Sequence, residues 1–231
     1  MPTALPTQRP PIHGDTATTD APALVASRLI EVIRLRDPDL ADHGQRTAHV
    51  AAAIAAEMGL DTASIDRAYL GAQLHDIGKL GVAEAVLWKP AGLSRTEWAQ
   101  IRTHPEKGHR LVADIVHSDV AAAVLSHHER LDGAGYPFGI DARTLPMTVR
   151  IVQVADAYDA MTSDRPYEGA LTAEISVGEI RRCAGTQFDP DAAAALASLL
   201  AIGFEDDTAI DLAGDGPTPA ILPADPFAGA G

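Results

Sequence analysis

Basic residues are scarce in this chain. Lys and Arg number 18 against 32 Asp and Glu in 231 residues, a formal net charge of -14. A general nucleic-acid binder needs a basic face, so long nucleic acids are poor partners. A small anionic substrate is still admissible if bound cations reverse the field locally. Cysteine occurs once, as Cys183, so no intramolecular disulfide can form and a reduced, cytoplasmic setting is expected. Cys183 itself reads as a small core residue rather than a nucleophile. Aromatic residues make up 4% of the chain, so Ala, Leu, Val and Ile must fill the core. An Ala-rich, Trp-poor composition favours helices. No basic-then-apolar segment opens the chain, as a secretory signal would. The longest apolar run, near Ala192 to Ala201, is far too short to span a bilayer, so no membrane insertion is expected.

What is present suffices for one domain with a sizeable core, since 46% of the residues are apolar. Residues 1–21 carry Pro, Thr and Ala without period and read as a disordered N-terminal tail. Residues 205–231 read as an acidic, Pro/Gly-rich C-terminal tail, which leaves 22–204 as the folded body. No repeat recurs at solenoid periods. Within the body the apolar period is helical nearly everywhere. Leu24 to Leu35 forms one helix, and His43, Thr47, Val50, Ile54 and Met58 lie on one stripe that ends at Gly59. Ile65, Ala68, Tyr69 and Ala72 continue the pattern; His75 and Asp76 follow on that buried face, and Gly78 closes the helix. Ser94 caps a helix through Ile101, and Pro105 starts another with His104 at its N-cap. Further helices are expected over Asp119 to His128, Met147 to Met161, Thr172 to Cys183 and Pro190 to Leu200, with a long Gly/Pro loop at 129–146. No strand alternates, so the fold expected is an all-α bundle.

Two adjacent pairs, His75-Asp76 and His127-His128, stand out because imidazole and carboxylate are ready ligands for divalent first-row metals. With His43, His104 and Asp156 they make a coherent set, each on an apolar helical face or at a helix end. Burying any one of them unpartnered is costly, and several converging in one core are best explained by cations. Two metals about 3.5–4 Å apart would clamp a phosphodiester and activate a water at neutral pH. Asp76 is the choice for the bridging carboxylate. Mixed N/O ligands point to iron or manganese more than structural zinc. His13, His49, His109 and His117 lack this context and read as surface or structural.

Other residues admit two readings. Lys79, three residues past Asp76, could neutralise a phosphoryl oxygen, or be a surface lysine at a helix end. Glu129 could orient a ligating His or face solvent, and Asp159 has the same ambiguity. The run from Asp132 to Pro137 is a tight turn by itself. Beside two ligands it could be a binding lip, with Tyr136 offering a ring for a base and Gly135 allowing close approach. Arg165 could grip phosphate bidentately or pair with Asp164 or Asp159.

The segments His75-Asp76-Ile77-Gly78-Lys79, His104-Pro105-Glu106-Lys107-Gly108, His127 to Pro137, Asp156 to Tyr167 and Gly185 to Pro190 resemble an HD-GYP domain, a branch of the HD metal-dependent phosphohydrolases. The resemblance covers about 36–200. It implies an HD-type helical bundle and a bacterial phosphodiesterase that linearises cyclic di-GMP to pGpG, with or without a further step to GMP. It implies one metal held by His43, His75, Asp76 and Asp156, and a second by Asp76, His104, His127 and His128. It makes Lys79 the catalytic lysine beside Asp76 and Arg165 a substrate-phosphate contact. Asp39 stands where some members hold a third metal with a Glu. Three further departures are Glu168, where active members carry Lys or Arg, Leu131 in place of an aromatic residue, and Ala83 in place of a proline. Without a receiver or sensor domain, regulation is expected from the tails, a homodimer or a signalling-protein partner.

Hydrolysis of a cyclic dinucleotide is therefore the leading expectation. Glu168 favours an alternative, a degenerate module that binds metal and a signalling partner without turnover. Another alternative keeps the chemistry and changes the substrate to a different cyclic dinucleotide or a nucleotide.

Overall fold

Helix punctuation sets the architecture. The computed structural model describes residues 21–164 and 169–200. Helix α1 (Ala21–Arg36) gives way to α2 (Pro38–Glu57), whose N-cap Asp37 accepts a hydrogen bond from the Leu40 amide at 2.9 Å. Pro38 occupies the first helical turn, where its missing N–H costs nothing. Gly59, at φ 73°, turns the chain out of α2, and Asp61 caps α3 (Thr62–Leu74). A 3-10 turn (Ile77–Gly81) and short α4 (Glu84–Leu87) lead to α5 (Arg95–Ile101), which opens on a full capping box of Ser94 and Glu97. Then come α6 (His104–Val112), α7 (Ser118–Ser126), a 3-10 turn (Ala142–Thr144), α8 (Met147–Thr162), α9 (Ala173–Arg182) and α10 (Pro190–Leu199). Among the described residues there is no strand, only isolated bridges between Arg130 and Asp141 and between Ala184 and Phe188. The chain is all-α, as expected.

Helix α8 is the central rod. Its Val149, Ile151, Val152, Val154 and Ala155 are fully buried. They share one core with Ala48, Ala51, Ile54 and Ala55 of α2 and with Ala192 and Leu196 of α10. The alanine faces let these helices approach closely, which is how so few aromatics can fill the interior. A second core of Ile33, Leu74, Ile77, Val112 and Val124 lies under α1.

Two local expectations fail. The third helix does not run on to Gly78. It ends at Leu74, with His75 as C-cap, and Asp76 (φ -99°, ψ 6°) breaks the chain into the 3-10 turn. Gly78 serves close approach instead of termination. A Cβ there would lie 1.8 Å from the His104 carbonyl oxygen and 2.5 Å from the Gly108 nitrogen. His104 is the first residue of α6, not its cap, a shift of one position. Helix α4 was not expected, because four residues are too few to display a period. Of the expected tails, Ala21 belongs to α1 and the remainder lies outside the described residues.

The Gly185–Pro190 segment is a structural clasp. Gly185, at φ 83°, donates to the Phe188 carbonyl, and Phe188 is buried in the core. The Thr186 carbonyl accepts from the Asp132 amide at 2.8 Å, and Gln187 Oε1 accepts from Arg130 Nη1 at 2.7 Å. Asp189 caps α10 and pairs with Arg150 at 2.6 Å. The loop at 129–146 is thereby fastened to the bundle.

Candidate metal centre

Helix ends deliver most of the expected donors. His43 projects from α2, His75 and Asp76 from the end of α3, His104 from the start of α6, His127 and His128 from the end of α7, and Asp156 from α8. One donor atom from each of Asp76, His104, His127 and His128 lies within 4.8 Å of the others, and the same holds for His43, His75 and Asp76. Asp76 belongs to both groups, and its two oxygens divide between them. Oδ1 lies 3.1 Å from His104 Nε2 and 3.8 Å from His127 Nε2, whereas Oδ2 lies 3.3 Å from His75 Nε2 and 3.9 Å from His43 Nε2. Asp156 Oδ1 sits 3.2 Å from His43 Nε2 and 3.7 Å from His75 Nε2.

Backbone carbonyls fix the tautomers. His75 Nδ1 donates to Ala72 O at 2.6 Å, His104 Nδ1 to Ile101 O at 2.8 Å, and His127 Nδ1 to Val124 O at 3.0 Å. A carbonyl only accepts, so each Nδ1 carries a proton and each ring turns its Nε2 edge inward. His104 Nε2 and His127 Nε2 then face each other at 3.1 Å across the inside of the site. Asp76 Oδ1 and His128 Nδ1 are buried and have no aligned hydrogen-bond donor or acceptor. Such groups are expensive to bury uncompensated. Converging imidazole nitrogens and an orphaned carboxylate oxygen are what a divalent cation satisfies, so these residues fit one.

The charge states agree. Burial first, then His75 and His104, push the His127 pKa down to about 3, so its ring is neutral at any physiological pH. Burial drives His128 the same way, with His127 and His104 adding to it. Burial by itself would raise Asp76, but Lys79 and His75 outweigh it and hold the carboxyl well below the usual carboxylate range. His43 differs. Burial opposes its protonation, but Asp156 and Asp159 on either side of the ring overcome that and raise it to about 9.

A family model described as an HD domain matches residues 27–192. The chain belongs to the HD domain family. It is 36% identical over 167 residues to the cyclic di-GMP phosphodiesterase response regulator RpfG of Xanthomonas campestris, covering 71% of this chain and 44% of that protein. It is 33% identical over 173 residues to the 3'3'-cGAMP-specific phosphodiesterase 3 of Vibrio cholerae, covering 74% of this chain and 37% of that protein. The chain thus spans less than half the length of these curated relatives. Among solved structures, Bd1817, an HD-GYP-type protein from Bdellovibrio bacteriovorus, superposes with a TM-score of 0.58 at 22% identity over 79% of this chain and 58% of that one. The resemblance to the HD-GYP branch is borne out, as is the HD-type bundle. Phosphohydrolases of the HD family are metal-dependent, and the His/Asp cluster here is able to hold metal.

Around this HD-family cluster the ambiguous residues take definite places. Lys79 reaches back to Asp76 Oδ2 at 2.5 Å, so its ammonium lies at the cluster's edge. Asp159 is buried and orients a donor. Its Oδ2 accepts from His43 Nδ1 at 2.8 Å, and Arg46 grips both its oxygens at 2.7 and 3.0 Å. Arg46 escaped the sequence reading, although it stands three residues after His43 on the same helical face, as Asp159 does after Asp156. Glu129 neither orients a histidine nor faces solvent. It is 1% exposed, and its carboxylate accepts from the backbone amides of Phe138 at 2.8 Å and Ile140 at 3.1 Å.

Tyr136 stacks on His128, with ring centroids 4.5 Å apart and planes at 25°, while the Arg102 guanidinium carbon lies over the tyrosine ring at 4.5 Å from its centroid. At Gly135 the close approach is to the chain itself, since a Cβ would lie 2.5 Å from both Glu129 Cα and the His128 carbonyl oxygen. Asp39 is exposed in the first turn of α2 and belongs to neither donor group. Arg165 and Glu168 lie outside the described residues. His49 packs edge-on against Tyr69, and His117 accepts from the Asp119 amide as the N-cap of α7, both structural as expected. No helix among the described residues is long and apolar enough to cross a membrane.

Proposed function

We propose that the chain is a metal-dependent phosphodiesterase of bacterial cytoplasmic signalling that opens cyclic di-GMP to pGpG and carries it on to GMP. The observation that supports this most is Asp76, with one oxygen turned to each group of histidines. His43, His75, Asp76 and Asp156 would hold one ion, and Asp76, His104, His127 and His128 the second, with Asp39 the candidate for a third. Two iron or manganese ions bound there would polarise the phosphoryl oxygens and supply a nucleophilic water at neutral pH.

The chain's own residues do the rest. Carbonyls of Ala72, Ile101 and Val124, with the Asp159 carboxylate, keep the imidazoles aimed inward. Burial of the donors strengthens every charge interaction inside the site. Lys79, 2.5 Å from Asp76, is the residue to neutralise charge that builds on the phosphoryl group. Arg165 is the candidate grip on the far phosphate.

The test is metal analysis of anaerobically purified protein, followed by product chromatography with cyclic di-GMP, 3'3'-cGAMP and cyclic di-AMP. Loss of the metals' Lewis-acid help is worth several kcal/mol, so His75→Ala and Asp76→Ala should lower turnover roughly a thousandfold or more. Wild-type rates in both variants would remove the assignment. The relative named for 3'3'-cGAMP favours that dinucleotide as the second reading of the substrate. Binding of cyclic di-GMP without product, by the wild-type chain loaded with metal, would favour instead the degenerate module acting through a partner.

A further inference from the structure

Beside the metal centre lies a cleft of about 340 Å³ walled by Arg95, Trp98, Arg102, Glu106, Tyr136 and Pro137. Its construction follows from helical spacing. Arg95, Trp98 and Arg102 stand at i, i+3 and i+7, on one face of the α5 segment that the Ser94–Glu97 box starts. Glu106 comes from the first turn of α6, two residues after the donor His104. Tyr136 comes from the loop that Glu129 clamps, and its ring joins the cleft to the cluster by stacking on His128. The cleft is therefore continuous with the metal centre through one side-chain contact.

Its chemistry is selective. Two guanidinium groups share one small wall in a chain of net charge -14, and together they favour an anion there. An indole next to them offers a stacking plane for a nucleobase. A carboxylate also lines the cleft: the Glu106 side chain is 44% exposed and lies 3.7 Å from Arg110. Guanine presents two donors in a row, N1–H and the N2 amino group, and a carboxylate accepts both. Adenine presents a donor beside the acceptor N1, which a carboxylate repels. The volume suits one nucleotide and not two, since pockets for drug-sized ligands begin at roughly 300 Å³.

We propose that this cleft is the subsite for one guanine nucleotide half of the substrate: Trp98 stacks on the base, Glu106 reads its N1–H/N2 edge, and Arg95 and Arg102 meet its phosphate. The proposal rests on the phosphodiesterase reading for its purpose, but its test needs no turnover. Trp88 is the other tryptophan, so in the full chain carrying Trp88→Phe the emission reports on Trp98. Titration with GMP should quench that emission saturably, and AMP should bind about tenfold more weakly. Arg102→Ala should weaken both nucleotides roughly tenfold. Glu106→Gln should bring GMP and AMP close to parity, with circular dichroism confirming the fold. Absence of saturable quenching by GMP would overturn the subsite. A GMP preference that survives Glu106→Gln would overturn the role of that carboxylate. A chain that binds GMP in this way yet hydrolyses no cyclic dinucleotide keeps the subsite and loses only the enzyme assignment.

Discussion

Asp76 carries two obligations at once, because each oxygen answers to a different group of histidines. Asp76→Asn replaces one acceptor oxygen with a donor amide, which no cation tolerates as a neighbour. Metal analysis should find the ion content cut by about half or more, since a bridging carboxylate is a ligand of both sites. Full metal content in that variant would show that Asp76 does not bridge. Glu129 offers a second case at this scale. Its buried carboxylate takes two backbone amides, and Glu129→Gln leaves one of them facing an N–H. A lost buried acceptor costs about 1–3 kcal/mol, to be read from the urea midpoint at unchanged slope. The donors were legible in the sequence because each falls on an apolar helical face or at a helix end. Glu129 was not, because its partners are main-chain amides nine and eleven residues on, and side-chain chemistry does not announce a backbone contact.

At the scale of elements, the meeting of the 3-10 turn with α6 decides the site. The Gly78 backbone and the His104 carbonyl are in contact at a distance no Cβ permits, and Gly108 faces the same joint with Val124 Cγ1 2.8 Å from where its Cβ would be. Gly78→Ala must push a pair of backbones apart rather than shift a flexible side chain. We expect it to cost about 3 kcal/mol or more and to draw His75-Asp76 away from His104. Thermal melts and metal content should fall together. A stable variant with full metal would contradict the close approach. Helix existence and type were readable from period and caps, as at Ser94 and Pro38. The end of α3 was not, because Gly78 looks like a stop signal in sequence and serves a contact 26 residues away in the fold.

For the whole molecule, the centre couples stability to metal and to pH. Five helices converge on it, so any ion that binds the folded chain alone stabilises it. Free metal at a hundred times Kd adds about 2.7 kcal/mol, and a chelator should lower the melting temperature accordingly. In the metal-free chain His43 has its folded pKa raised from 6.5 to about 9. The stability this proton contributes is complete below pH 6.5 and is lost as pH rises through about 9. A metal held by His43 would expel the same proton, so affinity should climb roughly tenfold per pH unit between 7 and 9, with proton release visible by calorimetry in buffers of different ionisation heat. A flat affinity across that range would place His43 outside the ligand set. His127, with its pKa near 3, contributes nothing to this slope.

The clasp at Thr186 and Gln187 has a consequence at a distance. The loop bearing Tyr136 is anchored inside by Glu129 and outside by the corner between α9 and α10. That corner cannot swing without dragging or snapping those ties. A push at that corner is therefore felt as a tug on the ring that leans against His128, which makes the corner a handle on the histidine cluster.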